Sequence, residues 1–368
     1  MKLKINYSMY LSIVFICLGI NFGFLFSEPI NDDPSFVQVA NSANKFPVTV
    51  KSKLLKAQPG DYIITEQSKN YSILSIRSLS NSTMVLEEIS IPSAQGSALK
   101  NSWKNWVASN APGHTSWILY EIDLENDQLI ECFSISKQGW LFFNESEHFF
   151  TKLITLPLSK TPEGQKRRIG PPPAPGEMDH RHIWYPAMIF EGKKVDKPSY
   201  EVWHGIWPND ETLLSGCKIE LYFGQGKQSF PFPYWIDISN ANYTYKIRVV
   251  DSGRGLLSPF SGSIPHRPPE FIGKIQNLGE TFRLTLKAPV YYKKFALFAI
   301  DLTVNGPPLP VPYEKKPGPQ QDQVFLEVTR EDLKSILKSD HKYRWVAIGE
   351  GASDAYAETE EPFLWKQP

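Results

Sequence analysis

The triplet Asp251-Ser252-Gly253 closes an apolar run, Ile247–Val250. A carboxylate at such a strand end is the arrangement that two-carboxylate hydrolysis needs, because two close acids share one proton. Arg254 follows where a small residue is wanted, and no second copy of the triplet occurs, so the acid pair would require a dimer. An ordinary turn at a strand end accounts for the same residues and is the preferred reading. His180 and His182, with Glu177 and Asp179, form the most metal-like cluster, and His204 is a further candidate. In extended backbone, residues two apart share a face, so both imidazoles could reach one ion. Two histidines do not complete a site, and exposed loop histidines are the preferred reading. His114 stands beside Thr115 and Ser116. Neighbours in a strand face opposite ways, which leaves a loop-to-strand junction rather than a proton relay. No Gly-x-Ser-x-Gly, phosphate loop, His-Glu-x-x-His or paired Cys-x-x-Cys is present. No residue is assigned a catalytic, cofactor-binding or metal-ligating role, and the chain reads as more a binder than an enzyme.

The composition narrows the classes further. Lysine plus arginine and aspartate plus glutamate both number 39 in 368 residues. Nucleic-acid affinity rests on a basic excess, so no nucleic-acid partner is expected. Lys2 and Lys4 precede a chargeless stretch, Ile5–Ser27, with an apolar centre at Leu11–Phe26. That pattern predicts a signal peptide over 1–27, cut after Ser27, and an extracytoplasmic location. The alternative is an uncleaved anchor, the only route by which this chain would meet a membrane. Ile16 before Cys17 is too large for lipoprotein processing. Cys132 and Cys217 remain after cleavage, and either a disulfide or two buried thiols is compatible with their apolar surroundings.

The elements that must position any site are mostly strands. Residues 28–45 read as a disordered leader. Residues 46–160 read as an antiparallel sheet domain with helices: an extended run from Val48, strands at Asp61–Glu66, Tyr71–Ser78 and Met84–Ile91, and further strands at Ser116–Asp123 and Gln128–Ser136. Helical spacing occurs at Ser97–Ala108 and Glu145–Thr155, the second capped by Asn144. Residues 161–264 begin as a proline-rich linker, with an exposed, protease-sensitive Lys166-Arg167-Arg168. They continue as strands Lys218–Phe223, Tyr234–Ile238 and Tyr245–Val250, which either extend the first sheet or form a second one. Trp203, Trp207, Phe230, Phe232, Tyr234 and Trp235 cluster around proline and glycine. They suit either a recognition surface or an inter-domain seam, the seam being preferred.

Residues 265–368 carry several strands and one short helical turn at Arg330–Leu337, which predicts a β-sandwich. Leu337 precedes Tyr343 by six residues, Tyr343–Ala347 alternates, and Gly351-Ala352-Ser353 follows. This resembles the late strands of a fibronectin type III domain and implies that Tyr343 makes a buried corner contact. The proline-rich Gly306–Pro319 and the charged Arg330-Glu331-Asp332 depart from that pattern. Gly60-Asp61-Tyr62, Arg167–Pro171 and Phe232–Ile236 resemble uncharacterised exported proteins of Chlamydia-like bacteria, a resemblance that implies no activity.

The expectation is a mainly β protein with minor α: an N-terminal α+β antiparallel sheet module and a C-terminal β-sandwich. The leading function is engagement of another protein or a cell-surface component. A carrier with an apolar cavity against the N-terminal sheet is the alternative, and a hydrolase is the remote one. A cavity between Ser97–Ala108 and the meander would favour the carrier, a filled core the binder.

Overall fold

The computed structural model describes residues 48–67, 69–99, 102–141, 149–174, 176–210, 212–241, 244–289, 292–320, 322–350 and 355–366. The expected signal peptide, leader and Cys17, the Asn144–Glu147 helix start and the Gly351–Ser353 turn lie outside the described residues. The protein is mainly β with minor α, and it divides into two compact units, Met1–Ser261 and Gly262–Pro368.

The first unit is organised by one antiparallel sheet. A meander runs through β1 (Tyr62–Gln67), β2 (Asn70–Leu79), β3 (Thr83–Pro92), β4 (Ser116–Asp123), β5 (Gln128–Ser134) and β6 (Gly139–Trp140). After β7 (Ser159–Lys160) and a hairpin of β8 (Ile189–Phe190) and β9 (Lys193–Lys194), a second meander follows. It comprises β10 (Tyr200–Ile206), β11 (Lys218–Gly224), β12 (Trp235–Ser239) and β13 (Thr244–Gly253). β1 pairs with β13 and fuses the two meanders into an 11-stranded order, β6-β5-β4-β3-β2-β1-β13-β12-β11-β10-β7. Of the two options open to the later strands, the chain takes extension of the first sheet.

Alternation assigns the faces. Ile63 and Leu74 belong to the larger core, whereas Tyr62, Ile64, Tyr71 and Ile73 belong to a separate cluster on the opposite face. The larger core is covered by α1 (Val50–Leu54) and, further along the chain, by the helix Phe149–Thr155. The extended run expected at Val48–Val50 is corrected: the Thr49 side chain accepts from the Ser52 N–H and caps α1, which ends the strand-like backbone there. On the opposite face, the single helix expected at Ser97–Ala108 is in pieces: α2 (Ser93–Gly96), a 3-10 turn at Ser97–Leu99, and α3 (Trp103–Ala108). Trp103, Trp106 and Val107 of α3 are buried against Tyr62, Ile64, Tyr71, Ile73, Ile89 and Ile91.

The sheet must curve. The helix Phe149–Thr155, α4, is about 10 Å long at 1.5 Å per residue. Its Phe150 ring lies 5.3 Å from Tyr120 of β4, and its Phe149 stacks at 5.4 Å on Trp207, directly after β10. β4 and β10 stand seven places apart in the sheet. In a flat sheet that separation would be roughly 34 Å at about 4.8 Å per strand. One short helix reaches both only if the sheet coils around it, the sense in which twisted antiparallel sheets bend. β10 was not expected from the sequence. Its Gly205 lets the Pro157 carbonyl oxygen lie 2.7 Å from where a Cβ would be, so the residue that interrupts the apolar alternation is the one that seats the chain between α4 and β7.

The second unit is a β-sandwich. One sheet has the order β14 (Glu270–Phe271), β16 (Thr281–Lys287), β20 (Gln323–Thr329), β19 (Glu314–Pro317), with β15 (Gln276–Asn277) also on β16. The other has the order β18 (Leu309–Pro310), β17 (Phe295–Asp301), β21 (Lys342–Gly349), β22 (Tyr356–Glu358), with β23 (Phe363–Leu364) also on β21. Strands β16 to β17 and β20 to β21 each cross between the sheets, a Greek-key connectivity. The proline-rich stretch supplies β18 and β19, which both lie at sheet edges, where a missing N–H costs no ladder bond. Thr329 caps α5 (Arg330–Ile336) by accepting from the Asp332 N–H at 3.1 Å. The charged Arg330-Glu331-Asp332 is therefore the first turn of a helix, where acidic side chains are favoured.

Candidate functional site

On the outer face of the first unit, a row of side chains crosses four strands: Tyr71 of β2, Glu66 of β1, Arg248 of β13 and Trp235 of β12 are successive register partners. Partners in register point the same way, so these four form a common floor. Glu66 forms an ion pair with Arg248 and accepts from the Tyr71 hydroxyl at 3.3 Å. Burial, and then the Glu66 charge, raise the Tyr71 phenol above its ordinary range. At one end stands Trp103 of α3, edge-on to Tyr71 at 5.5 Å. At the other, Trp184 meets Trp235 edge-on at 5.2 Å, followed by Tyr185 and Pro186. These surfaces enclose a cleft of about 550 Å³. The buried Trp235 Nε1 has no hydrogen-bond partner among the described residues.

The wall at Trp184 is built by the segment that reads as a linker. The Arg167 guanidinium lies 4.4 Å from the Trp184 ring centroid, and the Arg167 carbonyl accepts from the Trp184 N–H at 2.8 Å. Arg168 bridges to Ile183 in backbone and donates to the Arg181 carbonyl at 2.6 Å. Arg167 is exposed, as expected, and Arg168 half-buried, and both also hold a cleft wall.

The β8–β9 hairpin forms the rest of that wall. Glu191 and Gly192 both have positive φ, 49° and 74°, the requirement of a two-residue type I′ turn. Asp251-Ser252-Gly253 fastens this hairpin. The triplet is the end of β13 rather than a turn, which corrects the reading above. Asp251 Oδ1 accepts from the Gly192 N–H at 3.0 Å, the Ser252 carbonyl from the Glu191 N–H at 2.7 Å, and Ser252 Oγ donates to the Ile189 carbonyl at 2.8 Å. The preference of Asp and Ser for backbone partners is thereby used between segments far apart in sequence rather than in a local turn. Burial pushes the Asp251 carboxyl up, against the lowering effect of its two backbone donors. A folded-state value above the unfolded one favours folding at low pH, and that contribution is lost as pH rises through the folded value. Asp251→Asn keeps an acceptor for Gly192 and removes the charge. Its stability relative to the parent should therefore rise between about pH 4 and pH 7. Thermal melts across that range check this, and a flat difference would contradict it.

Lys104 of α3 and Glu191 of the hairpin form a 2.6 Å ion pair beside the cleft, with side chains 40% and 46% exposed. Exposed pairs contribute about 0–1 kcal/mol, so Glu191→Gln should lower the unfolding free energy read from denaturant melts by no more than that. A larger loss would mean that the pair holds the wall in place.

The other sequence candidates fall elsewhere. Asp179 is bound to Arg181 and Arg168, and His204 Nδ1 lies 3.1 Å from Thr161 Oγ1. Among the described residues no group of three or more His, Cys, Asp or Glu is placed to share an ion. His114 Nδ1 lies 2.9 Å from the Ala111 carbonyl at the loop-to-strand junction. Cys132 and Cys217 are free, buried thiols. Of the six aromatics clustered around proline and glycine, Trp207, Phe230, Phe232 and Tyr234 are in the main core of the first unit, neither recognition surface nor seam. Only Trp235 reaches the cleft. The floor row was missed because Glu66 and Arg248 meet only when β1 pairs with β13, a closure that no local pattern announces.

A second cavity, about 90 Å³, lies on the inner face beneath α4, lined by Leu54, Ile63, Leu74, Phe150, Leu153 and Ile247 among others. Among the described residues no helix is long and apolar enough to cross a membrane.

Fold and site together define a mainly β protein with a coiled, 11-stranded sheet, a β-sandwich and an aromatic cleft on the sheet's outer face. Residues 72–196 match the model of a family described as "CT021 protein". That stretch runs from within β2 to just past β9 and contains Trp103, Trp184 and Tyr185 of the cleft. The match supports the resemblance to uncharacterised proteins of Chlamydia-like bacteria. Among solved structures, the chain is similar to the hypothetical protein CT021 from Chlamydia trachomatis, at 21% identity and a TM-score of 0.44, covering 60% of this chain and 99% of that one. No curated protein matches the sequence.

Proposed function

We propose that the protein is an exported, non-catalytic binding protein that engages another protein or a cell-surface component through the outer-face cleft. The observation that carries this reading is the cleft itself. Its volume falls in the range of about 300–1,000 Å³ typical of ligand sites. Rigid aromatic rings converge on it with a few placed polar groups, the composition that gives contact area at low entropic cost. The helical side of the sheet supports it too: Trp103, Trp106 and Val107 fill the space that a carrier would leave open. The carrier alternative draws on the inner cavity, whose 90 Å³ is less than the roughly 150 Å³ that admits a benzene ring. Export rests on the basic, then apolar N-terminus. The C-terminal unit is a fibronectin type III-like module in this reading, on the strength of its strand order and its Tyr343 corner, and serves as a spacer or second contact surface.

A photo-crosslinking residue at Ala187, on the exposed rim, tests the binding reading in the native host. An adduct formed at Ala187 and absent with the same residue at Asn81, an exposed hairpin position, is expected. No adduct at Ala187 overturns it.

A further inference from the structure

We infer that the ligand of the outer-face cleft is a neutral saccharide. This rests on the binding reading of the same cleft and adds the chemistry of the ligand. A sugar ring presents apolar C–H faces to aromatic rings and a rim of hydroxyls, each both donor and acceptor. The floor offers the matching set side by side: the Glu66 carboxylate accepts and the Arg248 guanidinium donates, both reached from solvent, with the Trp235 side chain beside them. Trp103 and Trp184 stand at opposite ends of that floor.

Other ligand classes fit less well. A cation would meet Arg248, and Arg167 already stacks on Trp184. An anion would meet Glu66 and Asp251 in the lining. An acyl chain would strip water from the Glu66–Arg248 pair and give nothing back, a penalty for each polar group so covered. A peptide cannot enter by strand addition, because all four floor strands have both neighbours paired within the sheet, and that mode needs a free edge. A proline-rich peptide lying across the rings is the remaining competitor and an outcome of the test.

The full chain is titrated with neutral oligomers of glucose and of N-acetylglucosamine, in α and β linkage, by calorimetry and tryptophan fluorescence. Polyproline peptides are titrated in parallel. One saccharide series is expected to bind. Trp184→Ala should weaken it at least about tenfold, the effect of losing a central aromatic anchor. Arg248→Gln removes the charged donor of the floor and should weaken it by about three- to tenfold. Trp203→Phe, outside the cleft, should leave affinity unchanged, and circular dichroism melts confirm that each variant is folded. Saccharide binding that survives both Trp184→Ala and Arg248→Gln overturns the site. If no saccharide binds while polyproline does, or while Ala187 still crosslinks in the host, the saccharide assignment falls and the binding reading stands. If no ligand binds and no crosslink forms, both fall.

Discussion

Replacing Tyr343 by alanine is expected to destabilise the C-terminal unit by about 3–5 kcal/mol, and replacing it by phenylalanine by only about 0.5–1.5 kcal/mol. Tyr343 is fully buried near the start of β21, and its hydroxyl accepts from the Lys338 N–H at 2.8 Å. The ring packs in the sandwich core with Leu337 and Trp345. Alanine empties that volume and also releases the loop that the hydroxyl holds. Phenylalanine keeps the packing and takes the hydroxyl acceptor from the Lys338 N–H. A domain is commonly stable by about 5–15 kcal/mol, so the alanine variant should stand near unfolding while the phenylalanine variant remains folded. Hydrogen exchange of the β17 and β21 amides in the full chain reads this unit alone, since those amides exchange through its unfolding. If Tyr343→Ala leaves their protection unchanged, the ring does not hold the corner and the fibronectin-like reading loses its support.

That sandwich was legible because its signals are local. Leu337 and Tyr343 are close in sequence, and the alternation of Tyr343, Trp345 and Ala347 marks one buried face directly. What stayed hidden was the use of Gly306–Pro319. Prolines argue against a central strand, but nothing local says that two edges are available to receive them, as β18 and β19 are.

The first unit was legible as strands and illegible as a sheet. The bounds of β4, and nearly those of β2, β3 and β5, follow from alternation between turn residues. The union of β1 with β13 joins residues about 180 apart, and only tertiary packing decides it. The cleft depends wholly on that union, because its charged floor pair spans the seam. Local chemistry misled where a residue serves a distant partner. Asp251 and Ser252 look like a turn and act as a clip on the β8–β9 hairpin. Arg167 is solvent-exposed, as it looks, but it also backs Trp184. The aromatic cluster suited a seam first and a recognition surface second, but Phe230, Phe232 and Tyr234 fill the core, and the cleft takes Trp103 and Trp184 from elsewhere in the chain.

Glu87 and Glu88 show the same limit at its sharpest, and Glu87 gives the second large prediction. Two adjacent glutamates inside a strand would ordinarily place at least one in solvent, yet both are buried, on opposite faces of β3. Glu88 accepts from the Tyr120 hydroxyl at 2.8 Å on the inner face. On the outer face, Glu87 Oε1 accepts from Trp117 Nε1 and from Ser258 Oγ, each at 2.7 Å, and lies 4.0 Å from Arg77 Nη1. Arg77 in turn donates to the Phe260 carbonyl at 2.5 Å and stacks over the Phe260 ring at 4.9 Å, and burial pulls its guanidinium below its ordinary range. This network ties the chain leaving β13 back onto the sheet, where Leu256 and Phe260 complete the outer-face cluster. Glu87→Ala removes the counter-charge from a largely buried guanidinium and orphans two donors, and it should cost about 3–5 kcal/mol. Glu87→Gln keeps an acceptor and loses the charge, for a cost of about 1–3 kcal/mol. Replacing both Arg77 and Glu87 by methionine removes the charges together. Because a buried ion pair contributes little net stability over apolar side chains of similar size, the double variant should recover most of the loss. Denaturant melts of the full chain, with the first unit followed through exchange of the β2 and β3 amides, test the set. A double variant as unstable as Glu87→Ala would show that the indole and hydroxyl bonds, not the charge pair, hold Ser258 and Phe260 in place.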